Sequence, residues 1–244
     1  MRQGAYKFAI VVGASSGIGA ELVRQLAESG CRVAAVARRG DRLQVLAKEY
    51  PNRVIPIVAD VLKFDDTAEV FLRCTDALGG LDLVIYNSGI MPDVAPTEFN
   101  FSKDHAMIET NLSGAIAWLN VTAERFLSSR RGTIVVIGSV AGDRGRRGQP
   151  VYNASKAGLH AYAEALRNRL SRSGVRVTTI KPGPVATDLV AHLGFRGAMP
   201  ARQAAEIILA KSGRGSEQYL KISHRVIFAT IRLIPSWIFR WIPI

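Results

Sequence analysis

Cysteine is nearly absent. Cys31 and Cys74 are the only two in 244 residues, too few for a disulfide scaffold and without the clustering a zinc site needs. A reducing, cytoplasmic setting is expected, and no metal site. Long apolar runs are missing too. Phe8–Val12 is too short for a signal peptide or a membrane span. No internal repeat or low-complexity linker occurs, and composition does not shift before about residue 215. Acids are missing from the end of the chain, with none after Glu217. Residues 1–130 carry 14 bases and 15 acids, a sum of −1, and residues 131–244 carry 18 bases and 5 acids, a sum of +13, which gives the net charge of +12. A one-sided basic half calls for an anionic partner: a nucleotide, a phosphorylated substrate, a membrane surface or nucleic acid. No helix-turn-helix, RNA-binding or zinc pattern accompanies the charge, so nucleic acid is not expected. What remains, 48% apolar and 21% charged residues, is the balance of one soluble globular domain with a sizeable core.

Short apolar runs alternate with longer amphipathic ones. Phe8–Ala14, Arg32–Ala37, Val54–Ala59, Leu81–Tyr86, Thr133–Gly138 and Val175–Ile180 are rich in Val and Ile and apolar on both faces, as buried parallel strands are. Between them, Gly17–Ser29, Asp41–Tyr50, Asp65–Leu78, Lys103–Ser128 and Gln149–Ser171 read as helices. The alternation predicts a single doubly wound, Rossmann-type α/β domain with a mainly parallel sheet of about seven strands, the last near Glu217–Ile222. Residues 1–222 form the domain and 223–244 a tail.

Gly13-Ala14-Ser15-Ser16-Gly17-Ile18-Gly19 follows the first strand and opens the first helix. Glycines there let the backbone approach a pyrophosphate, whose charge sits at the helix N-terminus. The same residues also fit the G-x-S-x-G nucleophile elbow of hydrolases, which normally follows several strands and needs a later histidine. At the end of the second strand, where an acid would hold the ribose hydroxyls of NAD, stand Ala37, Arg38 and Arg39. An arginine fork grips a 2′-phosphate, so NADP(H) is expected over NAD(H). The alternative is a solvated pair, with Asp41 close enough to neutralise one.

Ser139 ends the fifth strand, and Tyr152 and Lys156 follow on a helix at i and i+4, on one face. A tyrosine phenol titrates near ~10, and a neighbouring cation favours its phenolate. Bringing it to neutrality takes about 3 units, roughly 4 kcal/mol, within what a dry site with a fixed charge supplies. Ser139 would hold a substrate oxygen beside the phenol.

With these motifs in this order, residues from about 6 to 222 resemble the short-chain dehydrogenase/reductase family. Gly13, Gly17 and Gly19 match its glycine loop, and Asn87-Ser88-Gly89 its Asn-Ala-Gly turn. The resemblance implies that Asp60, with Val61, holds the adenine ring. It implies that Asn87 and Gly89, and the segment Pro182, Gly183, Val185 and Thr187, sit against the cofactor. Asn111, Ser139, Tyr152 and Lys156 match its catalytic tetrad. Tyr152 is then the general acid in reduction, Lys156 lowers its pKa and binds the ribose, Ser139 orients the carbonyl, and Asn111 holds a relay water. The implied activity is hydride transfer between NADP(H) and a carbonyl or secondary alcohol, in a homodimer or homotetramer. A non-catalytic nucleotide sensor on the same fold is the alternative of another class. Val12 and Tyr86 depart from the family's usual Thr and Asn, two side chains that tie strands and loops together there.

The expected pocket wall is apolar: Ile90, Met91, Val140, Gln149, Pro184, Leu189 and His192. Asp143-Arg144-Gly145-Arg146-Arg147 must pass its mouth, where Arg144 and its neighbours either grip an anionic substrate or form a solvated loop. From His224 onward, Arg225, Arg232, Ser236 and Arg240 fall on one side of a helix that Pro235 should kink. Two tryptophans and many aliphatics cover the rest, which suits either the interface of a membrane's inner face or a sister subunit. The arginine loop and the ending IPSWIFRWIPI resemble one subgroup, the keto-reducing subunit of polyprenylphosphoryl-ribose 2′-epimerase. That resemblance implies a lipid-linked keto-sugar as substrate.

Overall fold

The computed structural model describes residues 6–189, 194 and 197–242. His192 and residues 243–244 of the tail therefore lie outside the described residues. Nine strands and nine helices are described: β1 Phe8–Val12, α1 Gly17–Glu28, β2 Arg32–Ala37, α2 Gly40–Glu49, β3 Val54–Val58, α3 Thr67–Leu78, β4 Leu83–Tyr86, α4 Phe101–Ile108, α5 Gly114–Ser129, β5 Gly132–Ile137, α6 Pro150–Leu170, β6 Val175–Lys181, β7 Val185–Ala186, β8 Met199–Pro200, α7 Ala201–Lys211, β9 Glu217–Tyr219, α8 Ile222–Leu233 and α9 Ser236–Phe239.

Seven strands form one sheet in the order β3-β2-β1-β4-β5-β6-β9, and every pairing is parallel. Alternate residues of each strand enter opposite layers. Ile10, Val12 and Val84 pack under α3, α5 and α6, while Ala9, Val11 and Leu83 pack under α1, α2 and α7. Both faces are covered, which is why the strands are continuous apolar runs. Pro56 is tolerated because β3 is an edge strand. Strand order reverses between β1 and β4, and a crevice opens there at the carboxyl ends of the strands.

One expectation changes. Lys103–Ser128 is not a uniform helix: α4 and α5 are joined by a π-helical turn, Glu109–Ser113, with Asn111 fully buried inside it. Such a turn inserts one residue and rotates the side chains that follow it, and it gathers at functional sites. Tyr86 helps hold it, since its buried hydroxyl donates to the Thr110 carbonyl at 3.1 Å. The departure at Tyr86 therefore brings its own tie between β4 and the helix.

Candidate active site

The glycine loop is built for close approach. Gly13 has φ +86°, and a Cβ there would lie 2.6 Å from the Ser88 amide nitrogen. Gly17, at φ +53°, opens α1. No side chain caps the start of α1 and no acid stands in its first turn, so its amides and dipole face the crevice unopposed. Gly19 is different. It is buried, its absent Cβ would meet the Gly13 carbonyl at 2.0 Å, and it lets α1 lie on the loop without lining the crevice. Asn87 closes the other side by donating from Nδ2 to the Gly13 carbonyl at 3.1 Å.

A groove follows. Gly13, Ser15, Ser16, Gly17, Ile18, Arg38, Asp60, Val61, Asn87, Gly89 and Thr187 line its first part, with Arg39 among them. Arg39 forks onto the Ser15 and Ser16 hydroxyls at 2.6–3.0 Å. Arg38 reaches out, 3.9 Å from the Asp60 carboxylate. Ser15 Oγ thus accepts from a guanidinium, which cannot serve as its base, and the nucleophile-elbow reading falls. An uncapped helix terminus, a glycine-lined loop and two cations suit a dinucleotide phosphate.

The groove runs into a chamber lined by Ser139, Tyr152, Lys156, Pro182, Gly183 and Val185, and by Met91, Val140, Gln149, Pro184 and Leu189. α6 supplies Tyr152 and Lys156 one turn apart, both buried. Lys156 Nζ donates to the Ile137 carbonyl at 3.2 Å and lies 5.9 Å from the centre of the Tyr152 ring. Burial pushes its ammonium down to about 8. Burial also pushes the Tyr152 phenol up, while the Ser139 hydroxyl and the charge of Arg146 pull it the other way. The direction is opposite to the sequence argument, because loss of solvent around a buried phenol outweighs both. The Asn111 amide accepts from Ile90 N at 2.7 Å and donates to the Ile90 carbonyl at 3.0 Å and to Ser155 Oγ at 3.2 Å. Its side chain pins the turn after β4 to α6.

Sequence reasoning gave His160 no role and did not single out Arg146 from its loop neighbours. His160, on α6, accepts from the Ser139 amide at 3.3 Å, and burial drives its pKa down to about 3, so it stays neutral and holds an acceptor under the serine. Arg146, not Arg144, lines the chamber. Arg144 turns to the tail: it donates to the Arg232 carbonyl at 3.2 Å and to Ser236 Oγ at 3.3 Å, and stacks 4.6 Å over the Phe239 ring. Arg147 donates to the Arg240 carbonyl at 2.6 Å. Arg144 is therefore not part of the chamber wall, and its neighbour two residues on is. No sequence signal separates two arginines of one irregular loop.

The tail folds onto its own subunit. Arg232 pairs with Asp143, whose carboxylate also takes Lys181 Nζ at 2.8 Å and the Tyr219 hydroxyl at 2.7 Å. Lys181, with no exposure, also reaches Glu217 at 2.7 Å. His224 of α8 packs where a Cβ of Gly183 would be, 2.2 Å from its ring. Arg232 and Ser236 are thus tied to the loop at residues 143–144 while keeping solvent exposure, and Ile222, Val226, Leu233, Trp237 and Trp241 are left exposed.

The chain belongs to the short chain dehydrogenase family, whose profile matches residues 7–196. It is 40% identical over 199 residues to an uncharacterised oxidoreductase of Myxococcus xanthus, covering 80% of this chain and 78% of that one. An uncharacterised oxidoreductase of Staphylococcus saprophyticus is 33% identical over 187 residues, 75% of this chain and 80% of the other. A short-chain dehydrogenase/reductase of Mycobacterium marinum superposes with TM-score 0.81 at 26% identity, over 89% of this chain and 95% of that one. ElxO, solved with NADP bound, shares the fold at TM-score 0.81 and 17% identity, over 91% and 99% of the two chains. The protein is therefore an oxidoreductase of a family that uses a nicotinamide cofactor, and the sensor reading is set aside. None of these relatives' names carries the epimerase resemblance. Among the described residues, no helix is long and apolar enough to cross a membrane.

Proposed function

We propose that this enzyme reduces a carbonyl, reversibly, with NADP(H), and that its substrate is lipophilic or lipid-linked. The observation that carries the reaction is the convergence of Ser139, Tyr152 and Lys156 in one chamber continuous with the glycine-lined groove. The bound cofactor supplies the hydride. The Tyr152 phenol donates the proton to the carbonyl oxygen, which the Ser139 hydroxyl holds in line. Lys156 carries the positive charge that stabilises the phenolate left behind. Pro182, Gly183 and Val185 shape the wall against the nicotinamide, and the surrounding apolar residues exclude water. NADPH oxidation by the full chain with a panel of ketones and aldehydes tests this. Turnover of none, under conditions where cofactor binds, would overturn it.

Preference for NADP(H) rests on Arg38 and Arg39 at the end of β2, with no acid at Ala37. Arg39 is already oriented by Ser15 and Ser16, so less ordering is needed when a phosphate arrives. Replacing either arginine by Asp should weaken NADPH binding, by about tenfold or more at Arg39, and leave NADH less affected. Equal NADPH and NADH dissociation constants in the wild type, unchanged in both variants, would remove the argument.

The exposed apolar face of α8 and α9 favours peripheral contact with the inner face of a membrane over a sister-subunit contact within a homodimer or homotetramer. Leu233, Trp237 and Trp241 are 83%, 65% and 75% exposed, while Arg232 is engaged by Asp143. Apolar insertion then dominates, with Lys221, Arg225 and Arg240 adding about 1 kcal/mol each near anionic lipid. Full-length protein should float with anionic liposomes and lose much but not all of that binding in high salt. Protein lacking residues 223–244 should stay in solution. A truncation that instead splits into monomers, from a full-length oligomer that ignores liposomes, would assign the tail to oligomerisation. A keto-sugar on a polyprenyl phosphate fits such a surface and remains the finer form of the substrate proposal.

A further inference from the structure

Arg146 stands in the chamber wall beside Tyr152. Asn153, a residue only 3% exposed, holds Arg146 at two points, its guanidinium and its backbone carbonyl. Arg146 Nη2 donates to Asn153 Oδ1 at 3.2 Å, and Asn153 Nδ2 donates back to the Arg146 carbonyl at 3.3 Å and to the Gly148 carbonyl at 3.0 Å. One buried amide thus fixes both the loop backbone and the arginine's fork. Asn153 is neutral, so it orients the charge without cancelling it. Arg146 Nε is buried and has no acceptor. The acid nearest in sequence, Asp143, is committed to Lys181, Tyr219 and Arg232. Among the described residues no ion pair reaches Arg146. Arg144 and Arg147, by contrast, are both satisfied by the tail.

A guanidinium stays charged in any protein and carries five donors in a rigid fork. Leaving one donor buried and unmet costs stability, and a loop arginine has an easy alternative in solvent. Burial indeed works against its charge, and Tyr152 is the neighbour that acts back in its favour. On the same wall Gln149, held at φ +54°, leaves its Oε1 buried and unpartnered. Both residues line the chamber: the unmet Arg146 donor suits an anionic acceptor on a substrate, and the unmet Gln149 acceptor a hydroxyl or N–H beside it.

We propose that Arg146 is the anion-recognition residue of this pocket, and that the substrate carries a carboxylate or a phosphate within reach of the carbonyl to be reduced. This rests on the carbonyl-reductase reading and narrows its substrate class. The bidentate fork suits either anion. The same charge faces the Tyr152 phenol, so substrate grip and proton donor share one short stretch, from Arg146 to Asn153.

The test is calorimetric and needs no turnover. Full-length protein is saturated with oxidised nicotinamide cofactor, which occupies the Arg38–Arg39 groove, and titrated with benzoate, phenyl phosphate and neutral benzamide. At least one charged probe should bind about tenfold or more tightly than benzamide. Benzoate ahead of phenyl phosphate assigns a carboxylate substrate, and the reverse order a phosphate ester. Arg146→Gln should abolish the preference and Arg146→Lys keep part of it, since a point charge replaces the fork. Arg147→Gln should retain it, because that arginine faces the tail. Equal binding of charged and neutral probes, no binding of either charged probe, or a preference that survives in Arg146→Gln would overturn the proposal. Should Arg146→Gln fail to fold, Arg146→Lys with an unaltered preference overturns it equally. Failure here leaves NADPH oxidation intact as a separate measurement, so the two readings fall independently.

Discussion

Tyr152→Phe is expected to lower kcat for carbonyl reduction at least ~10²-fold, the usual worth of a positioned general acid. Phenylalanine keeps the ring and its burial and removes only the hydroxyl, so cofactor affinity should change little. Burial holds the Tyr152 phenol above its ordinary value, which keeps it protonated, the form reduction needs, through neutral pH. The rate of reduction should therefore be flat near neutrality and fall on the alkaline side. The reverse reaction needs phenolate and should rise over the same range. Lys156, whose ammonium is pushed down to about 8, loses its charge before the phenol does, so the alkaline fall begins with the lysine and belongs to the pair rather than to one residue. Steady-state rates of wild type and variant across pH decide it. A variant that keeps more than about a tenth of the wild-type kcat would end the acid role of Tyr152.

Lys181→Met should destabilise the fold by roughly 3 kcal/mol, the lower part of the range for breaking a buried ion pair. Lys181 and Asp143 have no side-chain exposure and lie 2.8 Å apart. Methionine fills much of the space but leaves the Asp143 carboxylate short of one cation. Arg232 and the Tyr219 hydroxyl remain, which is why the loss stops short of the maximum. For a chain of this length that is a fall in Tm of about 6–12 °C. Chemical denaturation of the full chain measures it, and a loss under about 1 kcal/mol would show that Arg232 alone carries Asp143. Burial raises the Asp143 carboxyl, but hydrogen bonds from Lys181, Tyr219 and Arg232, with the lysine's charge, outweigh it and leave the value below normal. Its ionised form therefore favours the fold. That stabilisation is complete above the ordinary carboxylate range and is lost as pH falls through the lowered value. Lys181→Met should show a shallower acid slope than wild type.

The same cluster shows why some of this protein is readable in one dimension and some is not. The strands are legible because parallel strands covered on both faces must be apolar throughout, and short Val- and Ile-rich runs have few other uses. Glycine spacing after β1 and the i, i+4 placement of Tyr152 and Lys156 are local as well, each contained within one turn or one helix. Arg39 and Arg38 could be recognised as a pair. Which of them meets Ser15 could not, because that contact spans 24 positions.

The π-helical turn at Asn111 had no periodic signature, since one inserted residue shifts the phase of an amphipathic helix without erasing it. The tail illustrates the limit most clearly. Its composition and its break at Pro235 are local properties, and α8 and α9 meet there as expected. Its orientation depends on contacts 88 to 93 positions away, from Arg144 to Arg232 and Ser236 and from Arg147 to Arg240. Those contacts tie Arg232 and Ser236 to the loop, leave Trp237 and Trp241 outside while Phe239 is buried, and spend two loop arginines on the tail. Only Arg146 is then left for the chamber. Residue type and spacing could nominate an arginine loop at the pocket mouth, but three identical side chains in an aperiodic segment differ only in what surrounds them. Burial, partner and charge balance arise when distant segments pack, and here they decide which arginine meets the site.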